Sequence, residues 1–259
     1  MTGILRVARF SEKERVFWAF LEEDGQVREA EGDPFRGFGH AGPARSMDGL
    51  RWRPPVVPTK IIGVGRNYRA HAAELGHDLP AEPLLFLKPP SALIAHDEVI
   101  RLPGASQRVD YEGELGVVIR RTARAVPEAT ALDCVAGYTC VNDVTARDLQ
   151  KRDVQFTRAK GFDTFCPVGP CLALGVDPSD LEIVTRVNGV PVQRGRTSDM
   201  MFGIARLIAA ISSIMTLQPG DLIATGTPEG VGPLHAGDSV EVAVQGVGTL
   251  RNPVRAEAT

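Results

Sequence analysis

Three acidic side chains, Asp110, Glu112 and Glu114, occupy alternate positions of one short segment. In an extended strand, alternate side chains point to the same face, about 6 to 7 Å apart. Carboxylates that face a protein wall at this spacing raise one another's pKa unless a cation lies between them. The segment therefore indicates a cation site. A half-exposed strand with a solvated acidic face explains the same pattern, and is the commoner case for such a motif in isolation.

A further carboxylate, Asp143, lies between a predicted strand over 135–141 and a predicted helix over 145–152. Such junctions commonly carry functional groups. With Glu112 and Glu114 it forms an all-oxygen ligand set that includes no cysteine. This set favours hard ions such as Mg²⁺, Mn²⁺ or Ca²⁺ over Zn²⁺. Waters on such an ion would leave open positions for a substrate.

Basic and polar side chains follow the acidic ones. Arg147 and Gln150 are four and seven residues after Asp143, so a continuous helix would place all three on one face, and Lys160 comes shortly after. Arginine and lysine at these positions could hold the carboxylate of a substrate. The alternative is that Arg147 simply pairs with Asp143 across one helical turn at the surface.

A histidine and a glutamate share one face of a predicted helix over 67–75. His71 and Glu74 are three residues apart, so the carboxylate can orient the imidazole and raise its basicity as a general base. The same spacing is also common on exposed helices. Gly76 and His77 after the helix would allow it to move as a lid.

Two glycine-rich segments have the composition of ligand-binding loops. The turn-rich loop 226–232 could bring backbone NH groups and the Thr227 hydroxyl to a carboxylate, although a plain tight turn explains it equally well. The run Gly63-Val64-Gly65 lacks the third glycine of a dinucleotide fingerprint, and no Walker lysine is present. A nucleotide cofactor is therefore not expected.

Composition limits the class of protein. The chain has 259 residues, 43% hydrophobic and 24% charged, and a net charge of -3 with dispersed basic residues, so no nucleic-acid partner is expected. The N-terminus does not resemble a signal peptide, which predicts a cytoplasmic protein.

The apolar stretch 200–217 contains Arg206 and keeps helical spacing, which predicts a core helix and no membrane span. Four cysteines without CxxC spacing are expected as buried thiols: Cys134, Cys140, Cys166 and Cys171.

Elements that would position these residues follow from hydrophobic patterning and turn residues. We predict a small N-terminal domain over 1–57 and a β-rich α+β fold. The remaining residues, 58–259, form the domain that the family resemblance described below implies to be catalytic. Thr197 or Ser198 is expected to cap the helix over 200–217, and Asn188-Gly189 predicts a hairpin turn. Strands are predicted at 61–64, 83–88, 99–102, 109–119, 135–141, 183–186, 190–193, 222–224 and 239–244, and another helix at 127–133.

Six segments, in this order, resemble the fumarylacetoacetate hydrolase family across about residues 58–254. They are GVGRNYRAHAAELG from Gly63, FLKPPSALI from Phe86, VDYEGELGVVI from Val109, NDVTARDLQ from Asn142, RAKGFDTFCPVGP from Arg158 and GTPEGVGP from Gly226. One departure is Pro90, where a small polar residue is common. The resemblance implies a roll of mixed β-sheets with a small N-terminal domain, usually in a homodimer.

The resemblance also implies roles for individual residues. The metal ligands would be Glu112, Glu114 and Asp143. They would bind Mg²⁺ or Mn²⁺, with Ca²⁺ possible in crystals. The lid dyad of the small acylpyruvase and oxaloacetate decarboxylase branch corresponds to His71 and Glu74. The resemblance further implies that Lys160 is catalytic. It places four more residues beside the substrate: Arg147, Gln150, Thr227 and Lys88.

The implied activity is enolate chemistry on a small 2-oxo (di)carboxylate. Hydrolytic carbon-carbon cleavage of an acylpyruvate, giving pyruvate and a carboxylic acid, is the first expectation. The alternatives are an oxaloacetate decarboxylase or tautomerase, or a 2-hydroxyhepta-2,4-diene-1,7-dioate (5-carboxymethyl-2-hydroxymuconate) isomerase or decarboxylase of aromatic catabolism. A metal-binding pseudoenzyme is the alternative from another class, against which His71, Glu74 and Lys160 argue.

Overall fold

A computed structural model describes residues 3–74 and 79–257. Within them the helices are α1 Arg69–Glu74, α2 Arg147–Arg152, α3 Thr157–Lys160 and α4 Ile204–Ile214, with short 3-10 helices at Pro90–Ala92, Glu128–Cys134 and Thr197–Asp199. The strands are β1 Leu5–Glu12, β2 Arg15–Leu21, β3 Val27–Asp33, β4 Gly37–Arg45, β5 Arg51–Arg53, β6 Ile61–Gly65, β7 Leu84–Lys88, β8 Leu93–Ile94, β9 Ile100–Leu102, β10 Val109–Tyr111, β11 Gly113–Ile119, β12 Val135–Asn142, β13 Thr145–Ala146, β14 Cys166–Leu174, β15 Glu182–Val187, β16 Val190–Arg196, β17 Leu222–Ala224, β18 Gly232–Pro233, β19 Ser239–Val244 and β20 Gly248–Ala256.

The strands form three sheets in the described part of the chain. The largest has the order β4-β3-β2-β1-β14-β12-β11-β17-β6-β7, with β5 against β1 and β8 against β14. The others are β13-β10-β18 and β16-β15-β19-β20-β9. Strand residues outnumber helical ones, so the predicted β-rich α+β fold is confirmed. The predicted strands are also present, although the one over 109–119 is interrupted at Glu112.

The main core lies between the large sheet and helix α4. Leu115 and Val117 of β11 pack in one cluster with Leu207 and Ile211 of α4, so this segment is a core helix, as predicted. The helix begins at Ile204, and the expected cap by Thr197 or Ser198 is wrong because these residues form a separate 3-10 turn. No helix in the described part of the chain is long and apolar enough to cross a membrane.

Two further local predictions differ in detail. The segment after Pro127 is a 3-10 helix over Glu128–Cys134. The helix expected from Thr145 begins at Arg147, because Thr145 and Ala146 pair with β10 as strand β13. The hairpin turn is confirmed, with Asn188 and Gly189 both at positive φ (53° and 80°), the conformation that Asn-Gly turns adopt. The four cysteines are buried free thiols, as predicted.

The first 57 residues contribute β1 to β5, an antiparallel arrangement on the large sheet. Strand β1 pairs with β14 through Leu5–Leu174 and Val7–Leu172, so this segment shares a sheet with the rest of the chain. The domain boundary at residue 57 stays a prediction. On the other side of β14, β12 leads to Asn142 and Asp143, where the candidate site lies.

Candidate active site

Glu112 lies where the chain passes from one sheet to another. Strand β10 belongs to the three-stranded sheet and β11 to the large one, and Glu112 is the single residue between them. Its backbone NH donates to Asn142 Oδ1 at 2.9 Å, and its carbonyl accepts the NH of Asp143 at 2.8 Å. These bonds tie Glu112 to the end of β12, so two carboxylates far apart in sequence are held side by side.

The three predicted metal ligands are brought together. Glu112, Glu114 and Asp143 are at most 5% exposed, and each offers a carboxylate oxygen within 4.8 Å of the others. The alternative of an acidic face in solvent is therefore wrong. Unscreened carboxylates this close repel one another strongly, so the cluster requires positive charge.

Two lysines supply part of that charge. Lys160 Nζ donates to Glu112 Oε2 at 2.8 Å and to Asp143 Oδ2 at 2.5 Å, while Lys88 Nζ donates to Asp143 Oδ1 at 2.6 Å. Burial alone would raise the pKa of Glu112, but Lys160 and Arg147 outweigh it and hold that pKa below its usual range. Burial would lower the pKa of Lys160, but Asp143 and Glu112 raise it above its usual value. Lys160 is therefore an ammonium ion at neutral pH.

Glu114 has a different environment. One oxygen accepts the NH of Gly226 at 2.8 Å, and the carboxylate forms no ion pair with a described residue. Burial first, and then the charges of Asp143 and Glu112, raise the pKa of Glu114 well above its usual value. A divalent cation among the three carboxylates would remove this conflict. The all-oxygen set thus fits a hard ion such as Mg²⁺ or Mn²⁺.

Arg147 supports the acidic triad through its hydrogen bonds. Its Nε donates to Asp110 Oδ2 at 2.9 Å, one terminal nitrogen donates to Glu112 Oε1, and the other donates to Gln150 Oε1 at 2.6 Å. The proposed surface pairing with Asp143 is wrong, since Arg147 is buried and bonds to Asp110 and Glu112. The sequence analysis assigned no role to Asp110, although the two-residue period had already placed it on the face of Glu112.

His71 and Glu74 form the expected pair. His71 Nδ1 lies 3.0 Å from Glu74 Oε2, and the other oxygen of Glu74 accepts the NH of Gly230 at 3.1 Å. With Nδ1 donating to the carboxylate, Nε2 carries the lone pair and forms no hydrogen bond with the described residues. Gly76 and His77, which supported the lid hypothesis, lie outside the described residues.

The loop after β17 is anchored through Thr227. Its hydroxyl donates to the carbonyl of Gly113 at 2.9 Å and accepts Gln193 Nε2 at 2.9 Å. Gln193 Oε1 in turn accepts the NH of Gly113 at 3.0 Å. The sequence analysis missed Gln193, because a glutamine within a predicted hairpin strand carries no signal of a contact 34 residues away. The loop is therefore more than a plain turn, since it locks the chain beside Glu114.

A cavity of about 470 Å³ joins these groups. This volume suits a small ligand. Of the ten predicted site residues, nine line it, whereas Lys88 lies behind Asp143. The nine are His71, Glu74, Glu112, Glu114, Asp143, Arg147, Gln150, Lys160 and Thr227. Val64, Gly65, Arg66, Leu84, Phe86, Lys151 and Phe156 complete the wall, and the sequence analysis assigned none of them to the site.

Phe86 forms the apolar floor near the charged cluster. Its ring lies 4.9 Å from Lys160 Nζ and packs edge-on against Phe156. An added Cβ on Gly63, the residue opposite on β6, would lie 2.2 Å from the ring, so only glycine leaves the ring in place. Pro90, the departure from the family pattern, begins the 3-10 helix after β7 and does not displace Lys88.

Two family models cover most of the chain. Residues 60–255 match the model of the fumarylacetoacetate (FAA) hydrolase C-terminal domain, and residues 5–55 match the Rv2993c-like N-terminal model. The chain belongs to the fumarylacetoacetate hydrolase family. The predicted resemblance is thereby confirmed.

Several relatives within the fumarylacetoacetate hydrolase family have named activities. The oxaloacetate tautomerase YisK of Bacillus subtilis is 44% identical over 224 residues, covering 81% of this chain and 74% of the relative. A 5-carboxymethyl-2-hydroxymuconate delta-isomerase from Mycobacterium smegmatis superposes with a TM-score of 0.90 at 44% identity, covering 97% of this chain and 100% of that one. A fumarylpyruvate hydrolase from Pseudomonas aeruginosa, in complex with Mn²⁺ and pyruvate, gives a TM-score of 0.74 at 33% identity, covering 77% and 91%. These three relatives are thus named as a tautomerase, an isomerase and a hydrolase.

Proposed function

We propose that this protein interconverts the enol and keto forms of a small 2-oxo dicarboxylate such as oxaloacetate. The observation that carries the proposal is that the His71–Glu74 pair and the acidic triad open onto one cavity. The acidic triad, which would bind a 2-oxo acid through a metal, and His71, which would carry a proton, therefore line the same small cavity. Proton transfer is placed ahead of the hydrolysis expected from the sequence because the relatives at 44% identity are a tautomerase and an isomerase.

In this proposal Glu112, Glu114 and Asp143 hold Mg²⁺ or Mn²⁺. When bound, the cation supplies Lewis-acid polarisation of the 2-oxo group. The chain contributes three carboxylate ligands and orients each of them: Glu112 through Arg147, Asp143 through Lys88 and Glu114 through the backbone NH of Gly226. These supporting contacts are buried, so the ligand geometry is fixed before substrate binds.

His71 moves the proton. In the keto-to-enol direction, the lone pair on Nε2 removes a proton from C3 of the substrate, the 2-oxo oxygen takes a proton from solvent, and the imidazole then releases its extra proton to solvent. The enol-to-keto direction runs through the same steps in reverse. Glu74 holds the ring through Nδ1, so that Nε2 faces the reacting carbon. The Lys160 ammonium stabilises negative charge that develops on the 2-oxo oxygen. Phe86 and Phe156 limit the water around that charge.

Hydrolytic carbon-carbon cleavage is the second candidate, favoured by the likeness to fumarylpyruvate hydrolase. Here His71 removes a proton from water, the resulting hydroxide adds to the distal carbonyl of an acylpyruvate, and the carbon-carbon bond breaks. The products are a carboxylic acid and pyruvate in its enol form. The same residues take part, so only the fate of the substrate separates the two candidates.

The test is an ultraviolet assay of enol-oxaloacetate decay with purified protein and Mg²⁺ or Mn²⁺. Acceleration that disappears with a chelator and returns with metal supports the proposal. An acylpyruvate and a hydroxymuconate-type diene are assayed in parallel, with pyruvate and carboxylic acid quantified. Cleavage of the acylpyruvate without acceleration of the enol decay would move the assignment to hydrolysis. If none of the three substrates is turned over, the remaining interpretation is a metal-binding pseudoenzyme.

Oligomeric state belongs to the same proposal. We propose a homodimer, as the family resemblance implies. Light scattering on the purified full chain measures it directly, with twice the 27.8 kDa monomer mass as the expected result.

A further inference from the structure

Arg66 has an unusual backbone conformation at the end of β6. Its φ is 56°, in the left-handed region, which is unfavourable for a residue with a Cβ. Such conformations persist where the surrounding structure holds them, and they concentrate at functional sites. A glycine would adopt this turn without strain, yet the chain has an arginine. The conformation therefore points to a requirement for the side chain.

The neighbouring Asn67 fixes this turn. Its side-chain amide donates to the carbonyls of Thr225 at 2.8 Å and Phe202 at 3.0 Å, and its Oδ1 accepts the NH of Phe202 at 2.8 Å. Asn67 is fully buried. An added Cβ on Gly226 would lie 2.7 Å from Asn67 Cβ, so the turn is packed directly against the loop that binds Glu114. The position of Arg66 relative to the triad is thus set by buried contacts.

Arg66 lines the cavity and forms no hydrogen bond or ion pair with residues 3–74 or 79–257. Of the other cations of the wall, Arg147 bonds to Asp110 and Glu112, and Lys160 bonds to Glu112 and Asp143, so both are already engaged. Lys151 is exposed, so an anion bound to it would be screened by water. Arg66 is half-buried, so an anion bound to it would be only partly screened by water. The guanidinium is suited to grip a carboxylate through two parallel hydrogen bonds.

Register along β6 and β7 places Arg66 at the end of this wall away from Lys88. Lys88 bonds to Asp143 at one end of β7, Phe86 follows beside Lys160, and Leu84 pairs with Gly65 next to Arg66. Alternate residues face one side, so four residues span roughly 13 Å of wall. The wall is thus charged at one end, apolar in the middle and cationic at the other end.

We propose that Arg66 binds the distal carboxylate of the substrate and thereby selects 2-oxo dicarboxylates over 2-oxo monocarboxylates. This inference rests on the proposed function, because it takes the 2-oxo acid end of the ligand to lie at Glu112, Glu114 and Asp143. A dicarboxylate matches the charge pattern of the wall at both ends, whereas a monocarboxylate leaves the guanidinium unpaired.

The experiment is calorimetric titration of the Mg²⁺-loaded protein with two probes of equal chain length, 2-oxoglutarate and 2-oxovalerate. Only the first has a distal carboxylate. Arg66→Gln is expected to weaken 2-oxoglutarate binding by about ten- to a hundredfold, the range for a charged hydrogen bond, and to leave 2-oxovalerate within about threefold. Arg66→Gly is expected to lose the same discrimination while keeping the melting temperature, since glycine suits the turn.

Arg69→Gln is the matched control, because Arg69 is exposed, lies three residues away and is outside the cavity wall. It removes the same charge and is expected to leave both probes within about twofold. Equal weakening of both probes by Arg66→Gln, no change in either, or an equal effect of Arg69→Gln would overturn the inference. Failure of the proposed function shows up separately, as wild-type protein that discriminates the probes but does not accelerate enol-oxaloacetate decay.

Discussion

His71 Nδ1 lies 3.0 Å from Oε2 of Glu74, one helical turn away. The second oxygen of Glu74 reaches the NH of Gly230, so one carboxylate connects helix α1 to the loop that follows β17. That loop also supplies the Gly226 NH to Glu114. The proposed proton carrier and a proposed metal ligand are therefore held by the same stretch of backbone.

The first prediction concerns this pair. His71→Gln is expected to lower kcat for proton transfer by about 10²- to 10⁴-fold, the usual contribution of a general acid or base. Glu74→Gln is expected to cost less, because the imidazole remains and loses only its orienting partner. Steady-state assays with oxaloacetate measure both, and the exposed His40→Gln is the control. Titration with Mg²⁺ should show unchanged affinity in His71→Gln, and a large loss there would contradict a role apart from the metal.

Lys160→Met tests the buried ammonium. The raised pKa of Lys160, which burial opposes and Asp143 and Glu112 cause, keeps it charged at neutral pH. The variant is expected to lose about 10²- to 10³-fold in kcat, as for removal of one donor to a developing oxyanion. It also leaves Glu112 and Asp143 without a shared cation, so its melting temperature should depend more strongly on Mg²⁺ than that of the wild type. Thermal unfolding with chelator and with Mg²⁺ measures this. An equal dependence in both proteins would argue against Lys160 as their counter-charge.

Glu114→Gln is expected to raise the melting temperature of the metal-free protein at pH 8 and to lower its affinity for Mg²⁺. Burial, then Asp143 and Glu112, raise the pKa of Glu114 in the folded chain above its unfolded value. Its contribution to stability is therefore complete below about pH 4.3 and is lost as the pH rises through the folded pKa. In chelator the variant should melt higher than the wild type at pH 8, with the difference shrinking towards pH 5. Its Mg²⁺ affinity should fall by more than about 100-fold. A variant less stable than the wild type in chelator at pH 8 would refute this reasoning.

Asp110→Asn tests a residue that acts through Arg147. The carboxylate is fully buried and accepts Arg147 Nε, so its loss should let Arg147 shift and misplace Glu112. We expect Mg²⁺ affinity to fall by about 10- to 100-fold, as for the partner of a metal ligand, with a parallel loss of activity that saturating Mg²⁺ restores in part. Arg108→Gln removes the other, half-exposed partner of Asp110 and should change affinity by less than about threefold. A loss of activity without any change in Mg²⁺ affinity would show that Asp110 does not act through Glu112.

The sequence predicted the parts of the site that local patterns encode. Glu112 and Glu114 follow a two-residue period, and His71 and Glu74 follow a helical one. Spacing alone therefore predicts that the side chains within each pair share a face. The strands at 222–224 and 239–244 were equally clear, since apolar runs between turn residues leave few alternatives. The helix over 145–152 was placed two residues early because Thr145 and Ala146 pair with β10, and a preference within one segment does not reveal such a partner.

Contacts across long sequence separations were not predictable in the same way. Asp110 of β10 meets Arg147 across 37 residues because β10 pairs with β13, which leads directly into α2. Gln193 of β16 meets Thr227, in the loop after β17, across 34 residues. Arg66 carried no signal at all, since a left-handed turn is read from glycine or asparagine and arginine suggests neither. The cap expected at Thr197 failed because its hydroxyl accepts the NH of Leu181 and donates to the carbonyl of Pro178, so it is not available to the helix.

Pairing of β1 with β14 has a consequence for the behaviour of shortened forms of the chain. Leu172 and Ala173 are fully buried on a strand whose one side is covered by β12 and whose other side is covered by β1. Without the first 57 residues, that edge would present free backbone donors and acceptors beside apolar side chains, a template for strand addition by another molecule. In the full chain β1 occupies this edge of β14, so we expect self-association through β14 only in forms that lack the N-terminal strands.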